Sequence, residues 1–277
     1  MSGALLVVAT PIGNLSDLSP RVGEALGKAD VVLAEDTRRT RTLLAHLGIH
    51  TPLESFDAHK EREAAGRIVE RIRGGARVAL VTDAGTPGLS DPGGHLVRAV
   101  RAAGLTISPI PGPSAVAAAV SVAGADDGRF RFDGFLPRKG GERARRLSSI
   151  RDADVAVVLF ESPQRVGRTL RELAQAAGPG REGLVCRELT KMHEEIVSGT
   201  LESLADRFAG EVLGEVTLVV LPAVSGGAGA VVAAGPDPAK LAARLVGEGL
   251  APSRVARILE DFCELSHNEA YRVAHGV

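Results

Sequence analysis

Short, unbroken apolar runs recur along the chain, each ending in turn-forming residues, and they leave few folds open. Leu5-Leu6-Val7-Val8-Ala9, Val31-Val32-Leu33-Ala34, Val78-Ala79-Leu80-Val81 and residues 155–160 do not alternate with polar residues, as a strand covered on only one face would. Each is too short for a helix and reads as a strand buried on both faces. Between them lie stretches with the spacing of a helix that has one apolar face, such as Ala64, Ala65, Ile68, Val69 and Ile72. Strand and helix in alternation imply a mostly parallel sheet with helices on both faces, so the fold class is α/β. Aromatics make up 3% of the 277 residues and Trp is absent, so the cores are built from Ala, Val, Leu and Ile. Base stacking cannot then be the main binding device.

The loops after these strands carry the chemistry. Residues 80–94, LVTDAGTPGLSDPGG, bring Asp83, Thr86, Ser90 and Asp91 together among Gly85, Gly88, Gly93 and Gly94, with Pro87 and Pro92 as stiffeners. Glycine removes side-chain obstacles and proline limits the entropy to be lost, which suits a loop presenting amides, hydroxyls and carboxylates to a small ligand. Ser90 and Asp91 stay open between contacting that ligand and bracing the loop. The first strand runs into Thr10-Pro11-Ile12-Gly13-Asn14-Leu15, and the second into Glu35-Asp36-Thr37-Arg38-Arg39-Thr40-Arg41. Carboxyl ends of strands are where an α/β sheet places its ligands. Pro109-Ile110-Pro111-Gly112-Pro113-Ser114 reads as a stiff crossing between domains, with Ser114 capping the Ala-rich helix behind it.

The second half has strands closer together and fewer helices, as expected of a mixed sheet in a second α/β domain. Phe130, Phe132 and Phe135 fall near alternation in one strand, and a helix bearing Arg143, Arg145, Arg146 and Arg151 follows Arg138-Lys139. Residues 225–236 form a Gly/Ala linker. Helix-periodic apolar positions beyond it predict a module of three short helices over residues 237–277, leaving residues 1–111 and 112–224 as the two α/β domains. The net charge of −1 excludes a globally basic nucleic-acid coat protein. Cys186 and Cys263 have neither disulfide nor metal spacing and read as reduced packing residues, and no metal site is expected. No apolar run approaches the roughly 18–20 residues of a membrane span, and no signal peptide is recognisable. A cytoplasmic protein without membrane partners is the expectation.

Several familiar motifs fail. Gly112-Pro113-Ser114-Ala115-Val116 has Val116 where a nucleophile elbow needs glycine. His193-Glu194-Glu195 lacks the second histidine of a zinc helix, and no phosphate-binding G-x-x-x-x-G-K-[ST] occurs.

Taken together and in order, Thr10-Pro11-Ile12-Gly13-Asn14-Leu15, Glu35-Asp36-Thr37-Arg38, residues 85–93, Pro111-Gly112-Pro113-Ser114-Ala115, Gly134-Phe135-Leu136-Pro137-Arg138-Lys139, Phe160-Glu161-Ser162-Pro163 and Arg187-Glu188-Leu189-Thr190-Lys191 resemble one family. It is the tetrapyrrole-methylase-like S-adenosylmethionine methyltransferases, and within it the branch that 2′-O-methylates a cytidine of small-subunit (16S) ribosomal RNA near the decoding centre. The resemblance runs from residue 4 to about residue 222 and reaches the tail. It implies two α/β domains with S-adenosylmethionine in the cleft between them, a homodimer, and the RNA of the small ribosomal subunit as partner. For the cofactor it implies Pro11, Ile12, Asp83, Gly85, Thr86, Ser114, Ala115, Phe160, Leu189 and Thr217. Candidate catalytic groups, unresolved among themselves, are Glu35, Asp36, Glu161, Glu188 and Lys191, the last if burial lowers its pKa. Arg38, Arg39, His59, Arg138, Lys139, Arg143 and Arg187 are candidates for RNA contact. There is one departure: a His-Glu-His-Asn-like run of the family is replaced by Asp57-Ala58-His59-Lys60, so only His59 carries over. A tetrapyrrole methyltransferase, or a non-catalytic ribosome-assembly protein that binds RNA, are the alternatives.

Overall fold

A computed structural model describes residues 3–57, 61–125, 128–223, 238–248, 250–263 and 266–275. The apolar runs become strands: β1 (Ala4–Val8), β2 (Val31–Ala34), β3 (Leu53–Ser55), β4 (Arg77–Val81) and β5 (Thr106–Ile110) form one sheet in the order β3-β2-β4-β1-β5. Every neighbouring pair is parallel. Because side chains alternate across a strand, the unbroken run of β1 serves two cores. Ala4, Leu6 and Val8 pack with α1 (Pro20–Gly27) and α2 (Thr37–His46), whereas Leu5 packs with α3 (Glu61–Arg73) and α4 (Gly94–Ala102).

This order has a consequence for ligands. β1 and β4 are neighbours, but the chain leaves β1 for α1 on one face of the sheet and leaves β4 for α4 on the other. The two loops diverge and open a crevice at the strands' carboxyl ends, the switch point where open α/β sheets bind ligands. The crossing expected over residues 109–114 starts later than the prolines suggest. Pro109 and Ile110 belong to β5, paired with Val7 and Val8. β5 is an edge strand, where a missing N–H costs no ladder bond.

The second sheet takes β6 (Phe130–Phe135), β7 (Ala156–Glu161), β8 (Glu182–Arg187), β9 (Glu195–Thr200) and β10 (Val216–Val220), in the order β6-β7-β10-β8-β9. Only β6 and β7 are parallel; the other pairs are antiparallel, so the sheet is mixed. One face is covered by α6 (Gly141–Arg151), α7 (Val166–Ala177) and α8 (Leu201–Arg207). The other face receives α5 (Ala115–Ser121), through Val116 and Ala119, and also Ile12 from the loop after β1. Residues 1–223 thus make one compact unit holding both sheets.

Residues 224–277 make the other unit. In it α9 (Pro238–Gly247), α10 (Pro252–Cys263) and α11 (His267–His275) enclose a small core of Ala242, Val255, Ala256, Leu259, Ala270 and Ala274. The Ser266 N–H donates to the Glu269 carboxylate at 3.1 Å, the reach-back half of a capping box at the start of α11. The Gly/Ala linker read at residues 225–236 lies outside the described residues. No described helix is long and apolar enough to cross a membrane.

The end of the loop after β4 is held from an unexpected direction. Gly93, at the N-cap of α4, has no side chain to offer. Instead one carboxylate oxygen of Glu61, in the first turn of α3, accepts the N–H groups of Gly93 at 3.1 Å, His95 at 2.7 Å and Leu96 at 3.0 Å. It satisfies donors that a helix start leaves unpaired and places a negative charge at the positive end of the helix dipole. Glu61→Ala is therefore expected to cost about 1–2 kcal/mol, with Glu61→Gln closer to wild type. Urea unfolding monitored by circular dichroism measures both.

Candidate functional site

A cavity of ≈ 350 Å³ lies where the loops after β1 and β4 meet the segment before α5 and the ends of β6, β7 and β10. Two backbone hydrogen bonds tie the diverging loops together at its edge, where Gly85 lines it: Thr10 N–H to Gly85 O at 2.9 Å and Gly85 N–H to Thr10 O at 3.1 Å. The Thr10 hydroxyl donates to the Thr82 carbonyl at 3.2 Å, and Ala9 N–H to the Ile110 carbonyl at 3.1 Å. Ser114 caps α5 by accepting from Ala117 N–H at 3.4 Å. The first lobe touches the second where only glycine fits. A Cβ on Gly13 would lie 2.4 Å from Lys191 Cγ, and one on Gly134, whose φ is +64°, would lie 2.9 Å from Ser90 Oγ.

Of the residues expected at a cofactor, Ile12, Gly85, Thr86, Ser114, Ala115, Phe160 and Thr217 line this cavity. Pro11 and Asp83 do not; they line a smaller cavity of ≈ 170 Å³ on the other side of the Thr10–Gly85 bridge, beside Arg39 and Thr40. Leu189 is buried in the apolar cluster with Ile12 and Cys186. Burial, helped by the charge of Glu194, pushes the Cys186 thiol up to about 11, so it stays protonated as a packing residue. Ser90 and Asp91, which the sequence leaves open, are both in the wall of the larger cavity. Ser90 is held there at φ +70°, a left-handed conformation that side chains disfavour. The sequence reading missed Leu89, Phe135 and the Gly214-Glu215-Val216 run. Phe135 had a signal in the spaced phenylalanines: its ring lies 5.7 Å from that of Phe160, which also meets Phe132 at 4.9 Å.

The charges of the site are uneven. Asp91 has its carboxyl pushed up to about 6, first by burial and then by the nearby charges of Glu35 and Asp83, against a hydrogen bond with Thr82. Glu35 is also raised, by burial and then by Asp83, with Arg39 opposing. Among the described residues neither has an ion-pair partner. Asp36 goes the other way, down to about 2, because the Arg38 side chain and backbone hydrogen-bond to it.

The remaining catalytic candidates are engaged. Glu161 is buried, with its carboxylate taken by Arg165 at 2.5 Å, by the Thr169 hydroxyl at 2.6 Å and by Ser162 N–H at 2.7 Å. Glu188 is lowered, chiefly by its hydrogen bond from Lys191. For Lys191 the condition of a lowered pKa is not met: burial works in that direction, but hydrogen bonds to Glu188 and Glu215 outweigh it and hold the ammonium above its ordinary pKa.

The basic residues divide in the same way. Arg39 is 65% exposed, and Arg138 and Lys139 lie on the surface with no acidic partner among the described residues. Arg38 is exposed but paired with Asp36. Arg187 donates to Glu195 at 3.0 Å and to the Leu213 carbonyl at 3.2 Å. Arg143, expected on an RNA face, is instead turned inward. Its guanidinium is buried and bonds Glu172, the Thr169 hydroxyl at 2.9 Å and the Pro137 carbonyl at 2.8 Å, tying α6 to α7. His59 lies outside the described residues. Among those residues no group of three or more His, Cys, Asp or Glu could hold a metal ion.

Known proteins share this arrangement. Ribosomal RNA small subunit methyltransferase I of Xylella fastidiosa is 48% identical over 209 residues, covering 76% of this chain and 77% of its own length. The crystal structure of the methyltransferase CobJ superposes with a TM-score of 0.60 at 26% identity, over 79% of this chain and 95% of that one. Uroporphyrin-III C-methyl transferase from Thermus thermophilus, solved in complex with S-adenyl homocysteine, has the same fold at a TM-score of 0.57 and 19% identity, over 79% and 97% of the two chains. The family model described as tetrapyrrole (corrin/porphyrin) methylases matches residues 4–205, a span containing both sheets except for β10. With two lobes meeting over one cavity and that match across most of its length, the chain belongs to the tetrapyrrole methylase family.

Proposed function

We propose that the protein transfers a methyl group from S-adenosylmethionine to the ribose 2′-oxygen of a cytidine in 16S ribosomal RNA of the small subunit. The observation that carries this reading is the cavity between the lobes, whose lining suits the methyl donor, in a chain whose 48%-identical relative is named for methylating small-subunit rRNA. At ≈ 350 Å³ the cavity falls within the roughly 300–1,000 Å³ of small-molecule sites. Ile12, Ala115 and Phe160 offer apolar walls to an adenine, Thr86, Ser90, Ser114 and Thr217 offer hydroxyls to a ribose, and Asp91 offers a charge opposite to the donor's. Pro11, Asp83 and Leu189, which do not line the cavity, have weaker claims as cofactor contacts. Bound there, S-adenosylmethionine supplies a methyl group already activated on a sulfonium.

The chain's own task is then to align, exclude water and take a proton. Fixing the attacking oxygen in line can supply about 7–11 kcal/mol of the barrier in the best-oriented systems. A ribose hydroxyl is a weak acid, and a base near neutrality helps. Of Glu35, Asp36, Glu161, Glu188 and Lys191, only Glu35 combines raised basicity with freedom from an ion pair among the described residues, and we assign it that role. Glu188 and Lys191 instead brace the turn against Gly13. Arg138 and Lys139 serve as phosphate contacts, and Arg38, Arg39 and Arg187 more weakly because each already has a carboxylate. An rRNA substrate puts the work in the cytoplasm, and the family resemblance supports a homodimer and two α/β domains dividing near residue 111.

The direct test incubates the protein and labelled S-adenosylmethionine with small subunits lacking the modification, then maps the labelled nucleotide. Label on one cytidine 2′-oxygen is expected. Label on a tetrapyrrole and none on RNA would reverse the assignment, and absence of donor binding by calorimetry would favour a non-catalytic RNA-binding role.

Charge reversal at Arg138 and Lys139 is expected to weaken RNA binding roughly tenfold or more at moderate salt and to flatten its salt dependence. Arg143→Ala should leave that salt dependence unchanged while costing about 3–5 kcal/mol of stability, because it strands buried partners. Filter binding across a salt series, paired with urea unfolding, separates the two.

For Asp91 the folded pKa of about 6 lies above the ordinary 3.8, so between these values the folded protein holds more protons than the unfolded chain. Stability therefore falls as pH rises through that window. Asp91→Asn should stabilise the free protein by about 1 kcal/mol at pH 7 after allowing for solvent screening, an advantage lost below roughly pH 4. The same variant should bind S-adenosylmethionine less tightly, which thermal unfolding and calorimetry measure together.

A further inference from the structure

The smaller cavity, beyond the Thr10–Gly85 bridge, has an edge and faces of different chemistry. Its charged part is the pair Asp83 and Arg39, with the guanidinium 3.4 Å from Asp83 Oδ2, longer than a tight ion pair, and Thr10, Thr40, Thr42 and Thr82 also line it. Asp83 Oδ1 is anchored, accepting Asp36 N–H at 3.0 Å, which fixes the carboxylate and leaves Oδ2 facing Arg39. Arg39 is 65% exposed and Asp83 29%, so the pair is accessible from solvent. Pro11, Leu15 and Leu43 supply the apolar part of the lining, and Leu15 is 43% exposed although it is a leucine. At ≈ 170 Å³ the space is about half that of the neighbouring cavity.

We infer that this cavity receives the base of the substrate nucleotide and selects cytosine. The inference rests on the RNA methyltransferase reading and names the part of the site that reads the substrate. A flat ring against Pro11, Leu15 and Leu43 needs hydrogen bonds at its rim, where the lining offers one charged pair, Asp83 and Arg39, and otherwise Thr10, Thr40, Thr42 and Thr82. Cytosine presents an amino donor next to a ring-nitrogen acceptor and a carbonyl acceptor. A carboxylate beside a guanidinium is the complement: Asp83 accepts from the amino group and Arg39 donates to the acceptors. Uracil offers a carbonyl where cytosine has its amino group, setting two acceptors against each other. Chain neighbours line different cavities, Pro11 and Asp83 the smaller and Ile12 and Ala84 the larger, so a base held in one keeps its ribose close to a donor held in the other. Asp83 then belongs to the substrate, which explains why it is absent from the larger cavity's lining.

The test titrates the full-length protein, without S-adenosylmethionine, with cytidine 5′-monophosphate and with uridine 5′-monophosphate, followed by two-dimensional NMR. Cytidine monophosphate is expected to bind about tenfold more tightly, within the usual range for reading one base by hydrogen bonds, and to perturb Arg39, Thr40 and Thr82. Asp83→Asn keeps an acceptor for Asp36 N–H but can turn an amide donor to the ligand, so the preference should vanish or invert in favour of uridine monophosphate. Arg39→Ala, at an exposed position, should weaken both nucleotides. Equal binding of the two by the wild type, or a preference that survives Asp83→Asn, overturns the proposal. Loss of S-adenosylmethionine affinity on Asp83→Asn with the cytidine preference intact returns Asp83 to the cofactor. Because the nucleotide titration contains no methyl donor, a protein that fails to methylate RNA but prefers cytidine monophosphate refutes the methyltransferase reading and leaves the base pocket standing.

Discussion

Much of this molecule depends on two hydrogen bonds between Thr10 and Gly85. The strand order sends the chain away from β1 and β4 toward opposite faces of the sheet, which creates the crevice but also separates the loops that must line it. The bridge rejoins them shortly after the strands end, at Thr10 and Gly85. It also divides the space into two cavities, with Ile12 and Gly85 facing the larger and Thr10, Pro11 and Asp83 the smaller. A topology-driven opening thereby becomes a site with two compartments at a fixed separation, as group transfer between two ligands requires.

The second lobe is kept in register with the first by absences of side chain. Gly13 lets Lys191 approach, and Gly134 leaves room for the Ser90 hydroxyl. Around these contacts lie the described non-glycine residues with left-handed backbone, Ser90, Glu188 and Thr190. Such conformations cost on the order of 1–3 kcal/mol each and persist when surroundings dictate them. Their surroundings here are the interlobe contacts, where Lys191 is held by Glu188 and Glu215 and the Gly214-Glu215-Val216 run borders the cavity. The strain marks the places where the two lobes are made to fit one cavity.

How much of this was legible in the sequence follows the length scale of each interaction. Unbroken apolar runs and helical spacing are local, so the two kinds of sheet, the helices behind them and the cap at Ser114 could be read directly. Pro109 in a strand could not, because its tolerance depends on β5 being an edge, which is a property of the whole sheet. The same holds for Arg143. Its neighbours in sequence, Glu142, Arg145 and Arg146, are solvated, and nothing local reveals that Glu172 and Thr169 on α7 draw its guanidinium inward. Glu61 is a further case, an ordinary acid in a helical first turn whose partners begin 32 residues later. In the candidate site, motif residues located the cavity walls at Ile12, Gly85, Thr86, Ser114, Ala115, Phe160 and Thr217. Which acid keeps an unpaired carboxylate depended on partners brought in by the fold.

That distribution of partners gives the site its electrical character. Asp36, Glu161, Glu188 and Glu195 each have an arginine or lysine within hydrogen-bonding distance, whereas among the described residues Glu35 and Asp91 have none and Asp83 has only the longer contact with Arg39. A chain selected for stability alone would pair or replace a half-buried carboxylate that is pushed up to about 6 by burial and by its acidic neighbours. Here Arg39 offsets Glu35 and pairs with Asp83, but among the described residues no arginine acts on Asp91 in the wall of the larger cavity, so the three acids are left under-neutralised. A cationic donor would relieve the repulsion while bound, and after losing its methyl group it would carry one charge fewer and relieve it less. An under-neutralised site of this kind holds substrate more tightly than spent product, so its electrostatics favour turnover at some cost to the stability of the free protein.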